Sequence, residues 1–530
     1  MRVFLTSILL SSGMFMSLFS QGTQYLIALK VDAREYFHTQ QYGKALDVYL
    51  KLDSLEPNVA NHYYHIGACY MNMNHPEEAI TYLRSCQDKS NELPNSYNFY
   101  MAKAYHELTL PDSAISYYKE YLKNVSPKGR ANKSIITDIR KEIASCEYAK
   151  KMIANPIEGI EVFNIGKPIN STYPEHSSVI SADDQIIIFT SERPDTKGGK
   201  KYAFDGTYYE DLYISYNNDG KWTEPVSLSD NINTDHQDAS VFLTSDGHTL
   251  IIYRYSPDNK LGHNSGQLFT SEYNGKEWEE PVALPHPINS KYWESSACFS
   301  AEGEYIYFTS NRKGGYGGTD IYKSQHLEDG SWSKPKNLGP TINTKYDETS
   351  PFLHPNGKTL YFSSNGHQSM GGFDIFSSTY DAKMNQWSNP TNIGYPINTT
   401  NDDVDFSLSP DGRHIYFSDH RRNSIGEKDI YHAIVHETPQ DLTLIKGTIR
   451  DAKTNNPIPS TVKLKKDDGP AVMSIHNAKG DHHYTLVMRK GHTYTVLIES
   501  EGYQPYKRVV NTDNFIGFKQ RSEDIFLSKK

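Results

Sequence analysis

The sequence predicts a multidomain chain of α plus all-β class. It reads as a helical-repeat solenoid over 24–153, a five-bladed β-propeller over 160–435 closed by an N-terminal strand, and a small β-sandwich over 443–528. Three observations carry this. Small residues recur every 34 or 35 positions in the first part. The dipeptide Ile-Asn then recurs five times at near-constant spacing, each time ahead of similar strands and turns. Beyond residue 443 the repeats stop and paired strands take over. At 530 residues the chain exceeds what one hydrophobic core holds, so several domains are expected. Hydrophobic residues at 37% and charged residues at 22% mark a folded protein, and 39 Tyr with 35 Gly favour strands and turns.

Met1–Arg2 precedes an apolar run over 3–19, and Ser20-Gln21-Gly22 follows. This predicts a secretory signal peptide over 1–20, cut between Ser20 and Gln21. The competing reading is a membrane anchor, for which the run is short and lacks a stop-transfer flank. No Cys stands at the cleavage point, so no lipid anchor of the bacterial lipoprotein type is expected. No later stretch approaches ~18 apolar residues, so no transmembrane span is expected. The net charge of -10 and the lack of a basic run exclude a nucleic-acid footprint. Cys69, Cys86, Cys146 and Cys298 form no CxxC and no zinc spacing. They read as buried free thiols, with Cys69 and Cys86 the one pair close enough in sequence to suggest a disulfide.

Over 24–153 the period is helical. Ala33, Gly67 and Ala102 form one register, Ala45, Ala79 and Ala114 a second, and Tyr36, Tyr70 and Tyr105 follow the first by three places. Small residues let paired helices approach closely, and the Tyr fills the groove beside them. Pro57, Pro94 and Pro127 end the units, where Pro cannot continue a helix. An amphipathic stretch over 135–153 should cap the stack. This pattern resembles the tetratricopeptide repeat, a helix–turn–helix unit of about 34 residues. The Trp often found near each start is Leu29, Tyr63 and Asn98 here.

From 160 to 435 the anchors are Ile169–Asn170, Ile232–Asn233, Ile288–Asn289, Ile342–Asn343 and Ile397–Asn398, spaced by 63, 56, 54 and 55 residues. Each unit offers an acidic position, a turn such as 355–357 (PNG) or 410–412 (PDG), an aromatic strand such as 305–310 (YIYFTS), and a strand such as 319–324 (TDIYKS). A Trp-x-x-Pro element at Trp222, Trp278, Trp332 and Trp387 leads into a fourth strand. Four strands in about 55 residues, repeated five times, is the signature of a propeller. Four residues before each Ile-Asn stands Ile165, Leu228, Leu284, Leu338 or Ile393. Only Ile165 lacks a preceding Trp and a preceding unit, and the last unit lacks a fourth strand. Residues 161–166 should therefore complete the last blade and hide the open edges. The repeats resemble TolB-type, WD-like propeller units. Over 443–528 the strand–turn–strand patterns and Gly502–Tyr503 resemble the regulatory-like domain of carboxypeptidases, a β-sandwich that is generally not catalytic.

Reactive constellations are sparse. There is no GxSxG, no HExxH and no phosphate loop. The Gly-rich 314–318 lies between strands and reads as a loop, and 217–222 and 327–332 miss the Asp-box spacing of sialidases. His482–His483 are strand neighbours that face opposite ways, so a metal site there is not expected. One pattern is sharper: five residues after the Asn of each Ile-Asn stands a carboxylate, namely Glu175, Asp238, Glu294, Glu348 and Asp403. Two places on come Ser177, Ser240, Ser296, Ser350 and Asp405. Two readings of this carboxylate ring at a channel mouth stay open. Each carboxylate either accepts N–H bonds from its own or a neighbouring loop, or the ring attracts a cation such as Ca²⁺ or a basic peptide. Because all five units match, no member is singled out as catalytic.

The order of signal peptide, tetratricopeptide repeats, TolB-like propeller and carboxypeptidase-regulatory-like domain resembles PorE-type envelope proteins of the Bacteroidota. That resemblance implies a non-enzymatic periplasmic or outer-membrane-associated scaffold, linked to type IX secretion, with envelope or secretion-system proteins as partners and no cofactor. PorE-type chains continue into an OmpA-like peptidoglycan-binding domain, whereas this sequence ends at Lys529–Lys530 after the sandwich. Wall binding by that domain is thus not expected, and the secretion role is put in doubt. The rival expectations are a cell-surface glycan- or peptide-binding protein and a propeller enzyme acting on glycans.

Overall fold

The computed structural model describes residues 23–199, 202, 206–255, 266–436, 442–467, 471–477, 482–514 and 516–530. The predicted signal peptide and most of the linker over 436–441 lie outside the described residues. The chain divides into two compact units, 1–147 with 201–207, and 148–200 with 208–530.

The first unit is helical. Helices α1 (23–38), α2 (Tyr42–Leu55), α3 (Ala60–Asn72), α4 (Pro76–Lys89), α5 (Tyr97–Glu107) and α6 (Pro111–Lys123) are followed by α7 (Arg130–Ala154), which crosses the unit boundary. The recurring Ala33, Ala45, Ala79, Ala102 and Ala114 are completely buried. A Cβ on Gly67 would stand 2.8 Å from Leu83 Cγ and 3.1 Å from the Ala79 carbonyl, so close helix approach explains the small register. Tyr70 stacks on Tyr82 at 5.6 Å and Tyr105 on Tyr117 at 5.4 Å, which accounts for the Tyr register. Pro76 and Pro111 open α4 and α6, where a missing N–H breaks no helix bond. Ile139 and Cys146 of α7 join the apolar cluster of Ala102, Ala114, Ile115 and Tyr118. All four cysteines are free and buried, and burial pushes the Cys69 and Cys298 thiols up to about 12.

The second unit begins with five antiparallel sheets of four or five strands, consistent with a propeller-like β domain. Their first strands are Glu175–Ile180, Gln237–Leu243, Glu294–Phe299, Glu348–Leu353 and Val404–Leu408. Their third strands are Asp211–Asn218, Gln267–Glu272, Asp320–Gln325, Asp374–Asp381 and Asp429–Val435. The edge residues Leu228, Leu284, Leu338 and Ile393 each donate a backbone N–H to the third strand of their own sheet. Ile165 does the same to Ile430 of the fifth sheet. The segment Ile160–Asn164 pairs antiparallel with the fifth sheet's third strand, from Ile160 opposite Val435 to Asn164 opposite Tyr431.

Each Ile-Asn joins one sheet to the next. Asn343 accepts from the Ile321 N–H at 2.8 Å and donates to the Ile321 carbonyl at 3.0 Å. Asn233, Asn289 and Asn398 bond Leu212, Leu268 and Ile375 in the same way, and Asn170 bonds Ile430 of the fifth sheet. The Ile beside each Asn is buried. Second-strand aromatics Phe189, Phe308, Phe362 and Phe417 have no exposed surface, each contributing about 1.5–3 kcal/mol by burial.

The remaining strands form two small sheets. One orders His483–Arg489, Leu442–Asp451 and Lys519–Ser522, with Ile525–Leu527 also on the central strand. The other orders Ala471–Asn477, Ser460–Lys466, Thr493–Glu499 and Tyr506–Asn511. Ile449, Val462, Leu464, Tyr484, Met488 and Ile498 fill the core that they share. A Cβ on Gly447 would stand 1.9 Å from the Glu523 carbonyl, which requires glycine in that strand. This sandwich meets turns between first and second strands of the five-sheet region. Arg489 and Lys466 both pair with Glu302, Lys446 pairs with Asp183 at 3.2 Å, and Arg489 Nη1 donates to the Asn356 carbonyl at 3.2 Å.

Candidate functional site

The five repeated carboxylates are wholly buried, and each sits in its own loop. Glu294 is representative. It accepts from the Ser290 N–H at 3.0 Å, Ser290 Oγ at 2.7 Å, Ser310 Oγ at 2.7 Å and Arg312 Nη2 at 3.1 Å. Arg312 also donates to the Ile288 carbonyl at 2.7 Å and lies over the Phe308 and Tyr322 rings. Glu175 with Ser171, Ser191 and Arg193, and Asp238 with Thr234 and Arg254, repeat the arrangement. The unit is a clamp: a carboxylate holds the start of its own loop, and an arginine ties it to the Ile carbonyl.

Two clamps differ. In the fourth sheet His367 takes the arginine's place, with Nε2 2.8 Å from the Ile342 carbonyl. Glu348 keeps its bonds from Thr344 and Ser364, and burial raises its pKa against the lowering effect of those bonds. In the fifth sheet Asp419 stands where the first, third and fourth have a serine hydroxyl. Burial and the Asp419 charge raise the Asp403 pKa well above the usual range, although Arg421 pulls it down.

The residues two places on do something else. Ser177, Ser240, Ser296, Ser350 and Asp405 line a central cavity of about 70 Å³ together with Phe242, Phe299, Phe352 and Phe406. Each first strand carries a register shift close to these residues. Ser177, Ser350 and Asp405 take φ of 52°, 48° and 57°, a conformation few non-glycine residues adopt. Asp405 accepts from Ser177 Oγ at 3.1 Å and Ser350 Oγ at 3.1 Å, and Ser240 Oγ donates to the Ser177 carbonyl at 2.5 Å. A hydrogen-bonded polar ring and an aromatic layer therefore occupy the cavity wall. The carboxylates are absent from that wall, because each turns into its loop.

The Gly-rich loops also have a structural use. Asp320 accepts from the Tyr316 N–H at 2.6 Å and the Gly317 N–H at 3.2 Å. A Cβ on Gly317 would stand 1.9 Å from the Tyr346 carbonyl of the next unit. His483 Nδ1 lies 3.1 Å from Thr448 Oγ1, a contact within the sandwich.

Sequence reasoning missed one cluster. His176, Glu192 and Glu210 place one ligand atom each within 4.8 Å of one another, the only such group of three among the described residues. His176 Nε2 lies 3.6 Å from Glu210 Oε1 and 4.0 Å from Glu192 Oε1. Burial draws the His176 pKa down, but the hydrogen bond and charge of Glu210 outweigh it and the net shift is upward, with Lys428 opposing. The three belong to the first unit only. Their counterparts in the third unit are Ser295, Asn311 and Thr319, so no repeat signal marks them.

Comparisons with known proteins add a partial match. Residues 60–88 match the tetratricopeptide repeat family. A search of curated proteins finds no match. Among solved structures, an α-L-arabinofuranosidase from Lactobacillus brevis aligns at 13% identity and a TM-score of 0.34, covering 50% of this chain and 92% of that one. A Mycobacterium tuberculosis puromycin-hydrolyzing peptidase aligns at 11% identity and a TM-score of 0.26, covering 68% and 50%. At these scores neither carries an argument about what this chain does. The class defined so far is a tetratricopeptide-repeat segment followed by a multi-sheet antiparallel β region.

Proposed function

We propose that the five sheets close into a five-bladed propeller and that the protein is a non-enzymatic scaffold of the cell envelope, periplasmic and outer-membrane-associated, that binds protein partners. Closure is supported by Ile160–Asn164 and Asn170, which bond the fifth sheet, and by the cluster of Ile169, Phe189, Tyr213, Tyr416 and Ile430 drawn from first and fifth sheets. The observation that carries the scaffold reading is the use of the repeated carboxylates. All five are consumed in loop clamps, so the chemistry written most often in the chain builds a platform. Partners from the outer membrane or a type IX secretion system follow from the module order alone. One observation favours a second reading, a ligand- or substrate-binding β region: the cluster at His176 breaks the five-fold repetition.

The test is protease accessibility in the native host. A periplasmic scaffold is degraded only after the outer membrane is permeabilised. Degradation on intact cells would contradict the scaffold reading and favour a surface binding protein.

A further inference from the structure

We propose that His176, Glu192 and Glu210 form a binding site for one divalent transition-metal cation, of the Zn²⁺ or Mn²⁺ class. The donor set is one imidazole nitrogen and two carboxylate oxygens, which suits such ions better than the all-oxygen shells of Ca²⁺. Ligands on a tetrahedral ion with bonds of about 2.1 Å stand roughly 3.4 Å apart. The distances from His176 Nε2, 3.6 and 4.0 Å, approach that value, and all three ligand atoms lie within 4.8 Å of one another, so side-chain movements of about an ångström would close the site. Two carboxylates balance a divalent charge.

The imidazole is oriented for this. Ser177 Oγ gives its hydrogen to Asp405 Oδ2 and so accepts from His176 Nδ1 at 2.9 Å. With Nδ1 keeping its proton, a cation that displaces any proton on Nε2 meets a lone pair facing Glu210 and Glu192. The same Ser177 and Asp405 line the central cavity, so the site adjoins that cavity's polar ring. Nothing in the clamp architecture calls for these three residues, because the other four units keep their clamps without them. Three protein ligands leave a coordination position for water or a partner's side chain.

The experiment uses the full mature chain, stripped with chelator and titrated with ZnCl₂ and MnCl₂ by calorimetry, alongside Co²⁺ absorption as a probe of coordination. The expected result is one ion per chain, with affinity at least about tenfold lower in His176→Gln and in Glu210→Gln. Far-UV circular dichroism confirms that each variant is folded, and Glu192→Gln stands in for either one that is not. Absence of stoichiometric binding would overturn the proposal. So would binding retained at full affinity in folded His176→Gln, which would assign the ion to other surface groups.

Discussion

At the scale of single residues, the clamps make a graded expectation. Glu294→Gln removes a buried charge that pairs with the partly buried Arg312 and should cost about 3 kcal/mol in urea unfolding. Glu348→Gln leaves no arginine unpaired, since His367 holds the Ile342 carbonyl, and should cost less than half as much. Equal losses would contradict the clamp account. Stability should also fall in acid. Burial lowers the His354 pKa to about 4, against an unfolded value near 6.5. The unfolded chain then binds the extra proton first, so this contribution is complete above about pH 6.5 and is lost as pH falls toward 4. The loss amounts to roughly 3 kcal/mol. Chemical denaturation at pH 7.5 and 4.5 checks it, and His354→Gln should flatten the difference.

The same residues mark where sequence reading reached its limit. The Ile-Asn anchors, the carboxylates and the Tyr registers stand at fixed offsets and were legible. The arginines that complete the clamps were not, because Arg193, Arg312 and Arg421 stand 18 places after their carboxylates, Arg254 stands 16, and the fourth sheet uses His367. A strict strand alternation would also turn Glu175 and Ser177 the same way. The register shift between His176 and Val179 breaks that alternation, so one residue enters the clamp and the other lines the cavity. The metal-type cluster draws on three separate segments of one unit and leaves no periodic trace.

At the scale of elements, the outer strand from Ile160–Asn164 is the clearest junction. Val162 joins the apolar cluster of Phe406, Ile415, Phe417 and Ala433, whereas its neighbour Glu161 is exposed. Val162→Asp should lower unfolding stability by about 2–4 kcal/mol, and Glu161→Gln should change it by less than about 0.5 kcal/mol. Similar values for both would mean that the strand does not seal the fifth sheet. That junction was legible because Ile165 shares the apolar register of the four Trp-preceded edges. The salt bridges from Arg489 and Lys466 to Glu302 were not, since nothing in the sequence pairs residues more than 160 positions apart.

At the scale of the whole molecule, the two units divide the work that the scaffold account assigns. The helical repeats stack through the buried Ala register and the Tyr pairs beside it. The sheets supply a platform whose polar groups are largely spent on holding it together. The sandwich covers turns at one side of the sheets. The most direct measurement is to tag the protein in its own host, crosslink intact cells, purify it and identify what is recovered. The account predicts reproducible recovery of outer-membrane or secretion-system proteins. Recovery of no protein partner, or of surface glycan alone, would contradict it.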